Sequence, residues 1–225
     1  VVTTIGLDHQ DWLGSDRETI GTEKAGIFRA GVPVVLGEAE PPASVLRRAR
    51  ELGCPVTRLG QDFRALPAGG AWRFEGSVRT VTQLSAPALR GVLRDNAATA
   101  IEALDRLPGR QPPAADAVRE GCRLPALPGR LQHLTGPVDY LLDLAHNPPA
   151  AAALAAYVKC LPAAATTHAV IGLYADKDAA AVGAALAGAA DRWWCVGTSG
   201  ERGRSAAELA ATLRARGARV AGEFE

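Results

Sequence analysis

The sequence predicts an α/β protein, and two features of its patterning carry that prediction. Short β-branched and aliphatic runs alternate with Ala/Arg/Leu-rich stretches whose apolar residues recur at helical spacing. Towards the C-terminus this alternation becomes a regular strand–helix repeat, which favours a parallel sheet with crossover helices, as in a Rossmann-like domain. At 225 residues the chain is long enough for one large domain or two modest ones.

The first half of the chain is predicted to contain three strands, a hairpin and three helices. Prolines in the first turn mark the start of the first helix, and Glu75-Gly76-Ser77 marks the hairpin turn. Apolar residues at helical spacing (Ala97, Ile101 and Leu104) indicate the second helix. The predicted elements are strand 1–7, strand 32–37, helix 41–52, strand 55–59, hairpin strands 72–74 and 78–84, and helices 95–107 and 114–122.

A passage rich in proline and glycine, residues 124–130, is the candidate domain boundary. We place one domain over 1–134 and a second over 135–225. The second is predicted to repeat strand and helix three times: strand 138–144, helix 149–160, strand 168–173, helix 178–190, strand 193–196 and helix 205–216.

Polar side chains follow each strand of this second domain at the point where the strand ends. A parallel sheet brings such loops to one rim, where a binding crevice forms. The competing explanation is that turns need Asp, Asn and Gly in any case. The residues in question are Asp143, His146 and Asn147; Asp176, Lys177 and Asp178; and Gly200 to Gly203.

Composition excludes several classes of function. The net charge of +1, with 48% hydrophobic and 22% charged residues, gives no electrostatic case for nucleic acid or an anionic membrane as partner. The four cysteines form no CxxC motif and favour reduced thiols in a cytoplasmic protein. The sequence contains neither GxxxxGK[ST] nor a GxGxxG after a strand, so it supplies no phosphate-binding loop.

Six blocks, taken together and in order, resemble the bacterial folylpolyglutamate synthases/dihydrofolate synthases of the Mur ligase superfamily. The first two blocks separate this family from the cell-wall Mur ligases, whereas the fifth is shared with them. The blocks are Leu7-Asp8-His9-Gln10-Asp11-Trp12-Leu13-Gly14, Glu23-Lys24-Ala25-Gly26-Ile27-Phe28, Asp95-Asn96-Ala97-Ala98, Gly129-Arg130, Asp143-Leu144-Ala145-His146-Asn147-Pro148 and Ala175-Asp176-Lys177-Asp178.

The resemblance implies part of a P-loop-type ATPase central domain followed by a Rossmann-like C-terminal ligase domain. It also implies an ATP-dependent amide ligase that adds L-glutamate to dihydropteroate, or to the γ-carboxylate of a folate such as tetrahydrofolate, through an acyl phosphate. Divalent cations and basic side chains must then offset the repulsion between two anions. The implied cofactors are ATP and Mg²⁺, with a second monovalent or divalent cation, and the implied protein is a monomer.

The resemblance also implies roles for two residues near the N-terminus. His9 matches a magnesium ligand, although a histidine after a strand is more often a structural hydrogen-bonded group and imidazole suits softer metals. Asp8 could orient that imidazole. Lys24 matches a lysine that becomes carbamylated and binds a cation, and its apolar flank is compatible with the burial that would lower its pKa. The alternative for Lys24 is a surface lysine that pairs with Glu23 or solvent.

Further along the chain, the resemblance assigns residues to the nucleotide and to catalysis. Asn96 matches the residue that binds the adenine, with helix capping as its alternative. Arg130 matches an arginine that contacts ATP phosphate, and Asp143 a carboxylate that binds ATP. His146 is expected near the phosphates or the incoming glutamate. Lys177 fits its motif, but an Asp-Lys-Asp turn is commonly a solvated helix start.

The sequence lacks two parts of the family pattern. These are the phosphate-binding loop, expected upstream of Leu7, and a late strand, expected after residue 225. With no methionine in the sequence, we expect a chain truncated at both ends and inactive by itself. The alternatives are a non-catalytic nucleotide- or metal-binding module of the same fold and a Mur-type ligase for peptidoglycan precursors.

Overall fold

The computed structural model describes residues 1–6, 16–85, 92–123, 127–162 and 164–225. It divides the chain into two compact units, Val1–Leu127 and Pro128–Glu225. The division lies within the proline- and glycine-rich passage. A boundary after residue 134 would instead separate two strands that pair with each other, β6 and β7.

Unit 1 begins with a small parallel sheet covered by two helices. Strands β1 (Val34–Leu36) and β2 (Val56–Arg58) pair in parallel, and Val2 bridges Leu36 in parallel at the other edge. Helices α1 (Arg17–Ala25) and α2 (Ala43–Glu51) contribute Ile20, Val45 and other buried side chains to the core beneath this sheet. The strand expected over 1–7 is only this single bridge within residues 1–6.

The second part of unit 1 is an antiparallel sheet packed against two helices. Its strands are β3 (Arg64–Ala68), β4 (Ala71–Glu75) and β5 (Thr80–Leu84), paired in the order β3-β4-β5. Helices α3 (Val92–Asp105) and α4 (Ala115–Arg123) share a core with this sheet. The predicted hairpin is confirmed as β4 and β5, whereas β3 was missed because Pro67 interrupts its pattern.

Two buried carboxylates fasten α3 to this sheet. Glu102, which is fully buried, accepts hydrogen bonds from Ser77 and from Arg106 Nε at 2.8 Å. Asp105 pairs with Arg79 through two parallel bonds of 2.9 and 2.7 Å. A bidentate arginine–carboxylate pair fixes both distance and orientation, so α3 is held rigidly at its C-terminal end.

Unit 2 contains a parallel sheet covered by three helices. Strands β8 (His168–Ile171), β9 (Arg192–Val196) and β10 (Val220–Phe224) lie in the order β10-β9-β8. The core behind them comes from α5 (Pro148–Val158), α6 (Ala179–Ala185) and α7 (Ala206–Arg214). The α/β class with parallel sheets is therefore confirmed, with β10 as a strand that the sequence pattern did not indicate.

One prediction for this unit is wrong. The strand expected over 138–144 as the first of the parallel sheet is β7 (Tyr140–Leu142), which pairs antiparallel with β6 (Gln132–Leu134). The connection between the two is a short turn in which the Gly136 N–H donates to Asp139 Oδ1 at 3.2 Å. Such a short connection joins antiparallel strands, because a parallel pair needs a crossover of a dozen or more residues.

Candidate functional site

In unit 1, an ion pair lies beside the segment that leads into the His9 motif. Arg17 donates from Nε to Ile5 O at 3.0 Å, and from Nη2 to Glu38 Oε2 at 2.7 Å and to Glu40 O at 3.0 Å. Glu38 Oε1 is buried without a hydrogen-bond partner. Burial raises the pKa of the Glu38 carboxyl, although the Arg17 charge acts in the opposite direction. The predicted residues Asp8 and His9 lie outside the described residues.

Lys24 is exposed, in the last turn of α1. The burial expected at this motif is found at Ala25 and Phe28 and not at the lysine itself. A cation in a last turn also compensates the helix dipole, which is the structural alternative for this residue. A cation bound by Lys24 would therefore need further ligands from outside α1.

Asn96 lies inside α3, which begins at Val92, so the capping alternative is wrong. Its Oδ1 atom is buried without a hydrogen-bond partner. Burial also raises the pKa of the neighbouring Asp95 carboxyl, an effect that the charge of Arg94 opposes. A buried carbonyl oxygen without a donor fits a ligand N–H, such as the exocyclic amino group of an adenine.

In unit 2, the antiparallel pair β6–β7 brings three of the predicted residues to one end. The turn that carries Arg130 directly precedes β6, and the loop that carries His146 directly follows β7. Asp143 lies between them and accepts backbone hydrogen bonds from Leu131 at 2.9 Å and Ala145 at 2.8 Å. Arg130 is exposed, so its guanidinium is available to an anion.

The ring of His146 is oriented by the backbone. Its Nδ1 lies 2.9 Å from Leu144 O, which assigns the proton of the neutral ring to Nδ1 and leaves Nε2 as the basic nitrogen. The next residue, Asn147, caps α5 by accepting a hydrogen bond from Ala150 N at 3.0 Å. The loop is thus fixed on both sides of the imidazole.

Of the three loops that were predicted to share one rim, those that follow β8 and β9 meet, whereas the loop after β7 follows a separate antiparallel pair. Ala175 N donates to Arg202 O at 2.9 Å, and Arg204 Nη2 donates to Ala175 O and Lys177 O at 3.0 and 2.9 Å. Asp176 Oδ2 lies 3.6 Å from Arg202 Nη1. These bonds build one rim from the loops that follow β8 and β9.

Lys177 is buried in this rim and is not the solvated helix start that was its alternative. It is 8% exposed, and its Nζ lies 3.7 Å from Asp176 Oδ2. Lysine is almost never fully buried unless it is paired. Its position at a strand-end rim makes it a candidate for binding an anionic substrate group.

Sequence reasoning missed Arg17, Glu38, Gln132 and Arg204. These four residues lie outside the predicted motifs. Gln132 and Arg204 bond to backbone atoms of two motifs, whereas Arg17 and Glu38 pair with each other, and the motif spacings reveal none of these bonds. Within the described residues, no group of three or more His, Cys, Asp and Glu side chains could hold a metal ion. In the same part of the chain, no helix is long and apolar enough to cross a membrane.

Comparison with known proteins gives one family throughout. The family described as "Mur ligase, glutamate ligase domain" matches residues 129–224. The dihydrofolate synthase/folylpolyglutamate synthase of Escherichia coli is 41% identical over 93% of this chain and 48% of its own length. That of Haemophilus influenzae is 34% identical over 95% of this chain and 52% of its own length.

Solved structures cover the whole chain as well. E. coli FolC in complex with DHPP and ADP superposes with a TM-score of 0.88 at 37% identity, over 100% of this chain and 52% of that one. A bifunctional folylpolyglutamate synthase/dihydrofolate synthase with Mn, AMPPNP and L-glutamate bound gives a TM-score of 0.82 at 35% identity, over 98% of this chain and 52% of that one. Residues 129–224 match the glutamate ligase domain family of Mur ligases, and the chain as a whole is similar to folylpolyglutamate synthases/dihydrofolate synthases.

The chain spans about half the length of the relatives that it matches in this folylpolyglutamate synthase/dihydrofolate synthase family. Unit 2 corresponds to the glutamate ligase domain by the match over 129–224. The relatives are ligases of folate metabolism. The β6–β7 end and the rim with Lys177 both lie in this domain. Their side chains are therefore the candidates for contacts with the glutamate substrate and the nucleotide.

Proposed function

We propose that this chain is the part of an ATP-dependent amide ligase that carries the later portion of the ATPase domain and the glutamate ligase domain. The ligase adds L-glutamate to dihydropteroate, to the γ-carboxylate of folates such as tetrahydrofolate, or to both. The observation that carries the proposal is the match of the whole chain to FolC, whose solved complex contains DHPP and ADP. We further propose a cytoplasmic monomer that acts on small molecules and binds neither nucleic acid nor membrane.

The proposed reaction has two steps. The substrate carboxylate attacks the γ-phosphorus of ATP, which gives an acyl phosphate and releases ADP. The amino group of glutamate then attacks the acyl carbon, phosphate leaves with the C–O bonding pair, and the amine loses a proton. Activation is needed because a free carboxylate is a poor electrophile, and the protein's task is to position the groups and offset their negative charge.

Five side chains of the described residues receive roles in this proposal. Asn96 accepts from the adenine through its unpartnered oxygen, and Asp143 binds the nucleotide while it is held by two amides. Arg130 binds a phosphate. His146 lies near the phosphates or the incoming glutamate, with Nε2 as the nitrogen able to accept a proton. Lys177 binds an anionic group of the glutamate.

We propose His9 and Lys24 as the protein's contribution to the cation sites. A bound Mg²⁺, and a second cation held by a carbamylated Lys24, would supply charge compensation for the transferring phosphoryl group. Lys24 enters through its motif, because the lysine is exposed and lacks the burial that was expected to favour carbamylation. His9 enters through its motif alone.

The test is an assay of the full-length gene product that contains this chain. It is incubated with ATP, Mg²⁺ and L-glutamate, and with dihydropteroate, tetrahydrofolate or a UDP-muramoyl peptide as acceptor. We expect ADP, phosphate and a new amide with dihydropteroate or the folate. His146→Ala should lower kcat, whereas His133→Ala should not, because the imidazole of His133 pairs with Asp139 near the turn of the strand pair, with Nε2 3.6 Å from Oδ2. Turnover of the UDP-muramoyl peptide alone would overturn the proposal in favour of a peptidoglycan ligase.

A further inference from the structure

The β6–β7 pair places two functional segments at the same end. In the register of this pair, Gln132 lies opposite Leu142. The residue before β6 and the residue after β7 are therefore neighbours across the ladder, because the strands are antiparallel. Those two residues are Leu131, next to Arg130, and Asp143, which begins the loop to His146.

Both carboxylate oxygens of Asp143 are engaged by backbone amides. Oδ2 accepts from Leu131 N at 2.9 Å and Oδ1 from Ala145 N at 2.8 Å. One amide belongs to the Arg130 turn and the other to the His146 loop. Each carboxylate oxygen has further lone-pair capacity, so these bonds are compatible with a nucleotide contact as well.

The turn that Asp143 holds has an unusual backbone. Leu131 has a φ of 43°, a left-handed value that an L-residue with a branched side chain rarely adopts, and its side chain is buried. Gly129 has a φ of 69°, and its N–H donates to Gln132 Oε1 at 3.0 Å. Such a conformation persists only where the surroundings impose it. Among the described residues, the carboxylate of Asp143 and the side-chain amide of Gln132 accept hydrogen bonds from the backbone of this turn.

We propose that Asp143 is a positioning residue that joins the Arg130 turn and the His146 loop into one rigid piece. The carboxylate holds both segments before any nucleotide arrives, so the phosphate-binding guanidinium and the imidazole keep a fixed relation to each other. The proposal rests on the proposed function for the roles of Arg130 and His146. The clamp itself does not depend on that function.

Amide hydrogen exchange in the nucleotide-free, full-length gene product tests the clamp. In the wild type, the amides of Leu131 and Ala145 should exchange at least about tenfold more slowly than in an unstructured peptide, since each is bound to a charged acceptor. Exchange of both at the unstructured rate would overturn the proposal. This measurement needs no variant, so misfolding of a variant cannot leave the clamp undecided.

The second measurement is amide exchange in Asp143→Asn. The substitution replaces one acceptor oxygen by an NH₂ donor, so one of the two backbone hydrogen bonds is lost. We expect at least about tenfold faster exchange at Leu131 or Ala145. The matched control is Asp139→Asn, which removes a carboxylate bound to a backbone amide at the opposite end of the same strand pair. It should leave both amides at the wild-type rate. Unchanged exchange in Asp143→Asn would contradict the clamp.

Kinetics separate positioning from nucleotide binding. A residue that only binds the nucleotide raises KM for ATP and leaves kcat unchanged, whereas a residue that positions Arg130 and His146 lowers kcat at saturating ATP. We expect kcat of Asp143→Asn to fall at least about tenfold and that of Asp139→Asn to stay within about twofold of the wild type. A change confined to KM would overturn the positioning role. A wild type without ligase activity would refute the proposed function and leave the exchange result standing.

Discussion

The side-chain oxygen of Asn96 is buried without a partner in α3. An unpaired buried carbonyl oxygen costs free energy, typically about 1–3 kcal/mol, until a donor reaches it. Stable packing alone does not favour such a group, whereas a ligand with an N–H donor would. Asn96 therefore shows the conflict between stability and binding that is common at functional sites.

This conflict gives a prediction for Asn96→Leu in the full-length gene product. Nucleotide-free thermal stability should be equal to or higher than that of the wild type, because the unpaired oxygen is gone. The Kd for ADP, measured by calorimetric titration, should rise about tenfold or more. Ala100→Ser on the exposed side of the same helix is the control and should change neither quantity. A lower stability with unchanged affinity would mean that Asn96 has a structural role only.

At the scale of elements, two glutamates join α1 to its neighbours, and their carboxyl pKa values are shifted in opposite directions. Glu18 accepts from Ala43 N at 2.8 Å and Ser44 N at 2.7 Å, so it caps the start of α2. The hydrogen bonds from Ser44 and then Ala43 lower the pKa of the Glu18 carboxyl. Burial raises that of Glu38, at the end of β1, in spite of Arg17.

The two glutamates should therefore give stability changes of opposite sign with pH. The lowered pKa of Glu18 means that its ionised form stabilises the fold above the ordinary value of 4.5, and this contribution is lost as the pH falls through the folded-state pKa. The raised pKa of Glu38 means that stability is lost as the pH rises from its ordinary value of 4.5 to its folded-state pKa.

Thermal unfolding of Glu18→Gln and Glu38→Gln between about pH 3 and about pH 7 tests this difference. The advantage of the wild type over Glu18→Gln should grow with pH by a few degrees. Relative to Glu38→Gln, the wild type should become less stable as the pH rises. Each variant is the control for the other, and pH slopes of the same sign would contradict the assigned directions.

The rim between the loops after β8 and β9 depends on the absence of a side chain at Gly203. A Cβ there would lie 2.5 Å from Thr198 O and 2.9 Å from Gly200 O, both of them backbone atoms that cannot rotate away. We expect Gly203→Ala to destabilise the protein by about 1–3 kcal/mol and to raise KM for glutamate. Denaturant unfolding and steady-state kinetics measure the two effects.

Gly121→Ala is the matched control for this substitution. A Cβ at Gly121 meets nothing within 4 Å, and the residue lies in α4. Alanine should stabilise that helix by about 0.5–1 kcal/mol and leave the kinetics unchanged. Equal stability changes at the two positions would show that close backbone packing does not define the rim.

At the scale of the whole molecule, the chain is two units, each with its own hydrophobic core. Asn96 lies in unit 1, and Arg130 and Asp143 lie in unit 2. The printed sequence holds no GxxxxGK[ST] motif, whose backbone amides cradle phosphates in P-loop enzymes. The contacts proposed for Asn96 and Arg130 are only a small part of such a site.

We therefore expect the 225-residue chain by itself to bind ATP weakly, with a Kd of about a millimolar or more. Calorimetric titration with and without Mg²⁺ measures this value, and the full-length gene product is the comparison. Tight, magnesium-dependent binding by the chain alone would show that the phosphate-binding segment lies within the printed sequence. It would also favour a stand-alone nucleotide-binding module.

The sequence by itself determined the α/β class, the β4–β5 hairpin, the helices other than α1 and the motif blocks that mark the family. All of these depend on local periodicity, turn residues or short spacings, which the chain carries wherever it folds. The sequence also predicted that the loops with Asp176 and Arg202 lie close together, because parallel strands end at one rim of a sheet.

Only the tertiary structure decided which segments become partners. It paired β7 with β6 and not with β8, buried Lys177, left Lys24 exposed, and gave both oxygens of Asp143 to the amides of Leu131 and Ala145. The roles of Asn96, Arg130 and His146 remain predictions. Pairing and burial depend on contacts between residues far apart in the chain, and the free energy of such contacts is not contained in any local pattern.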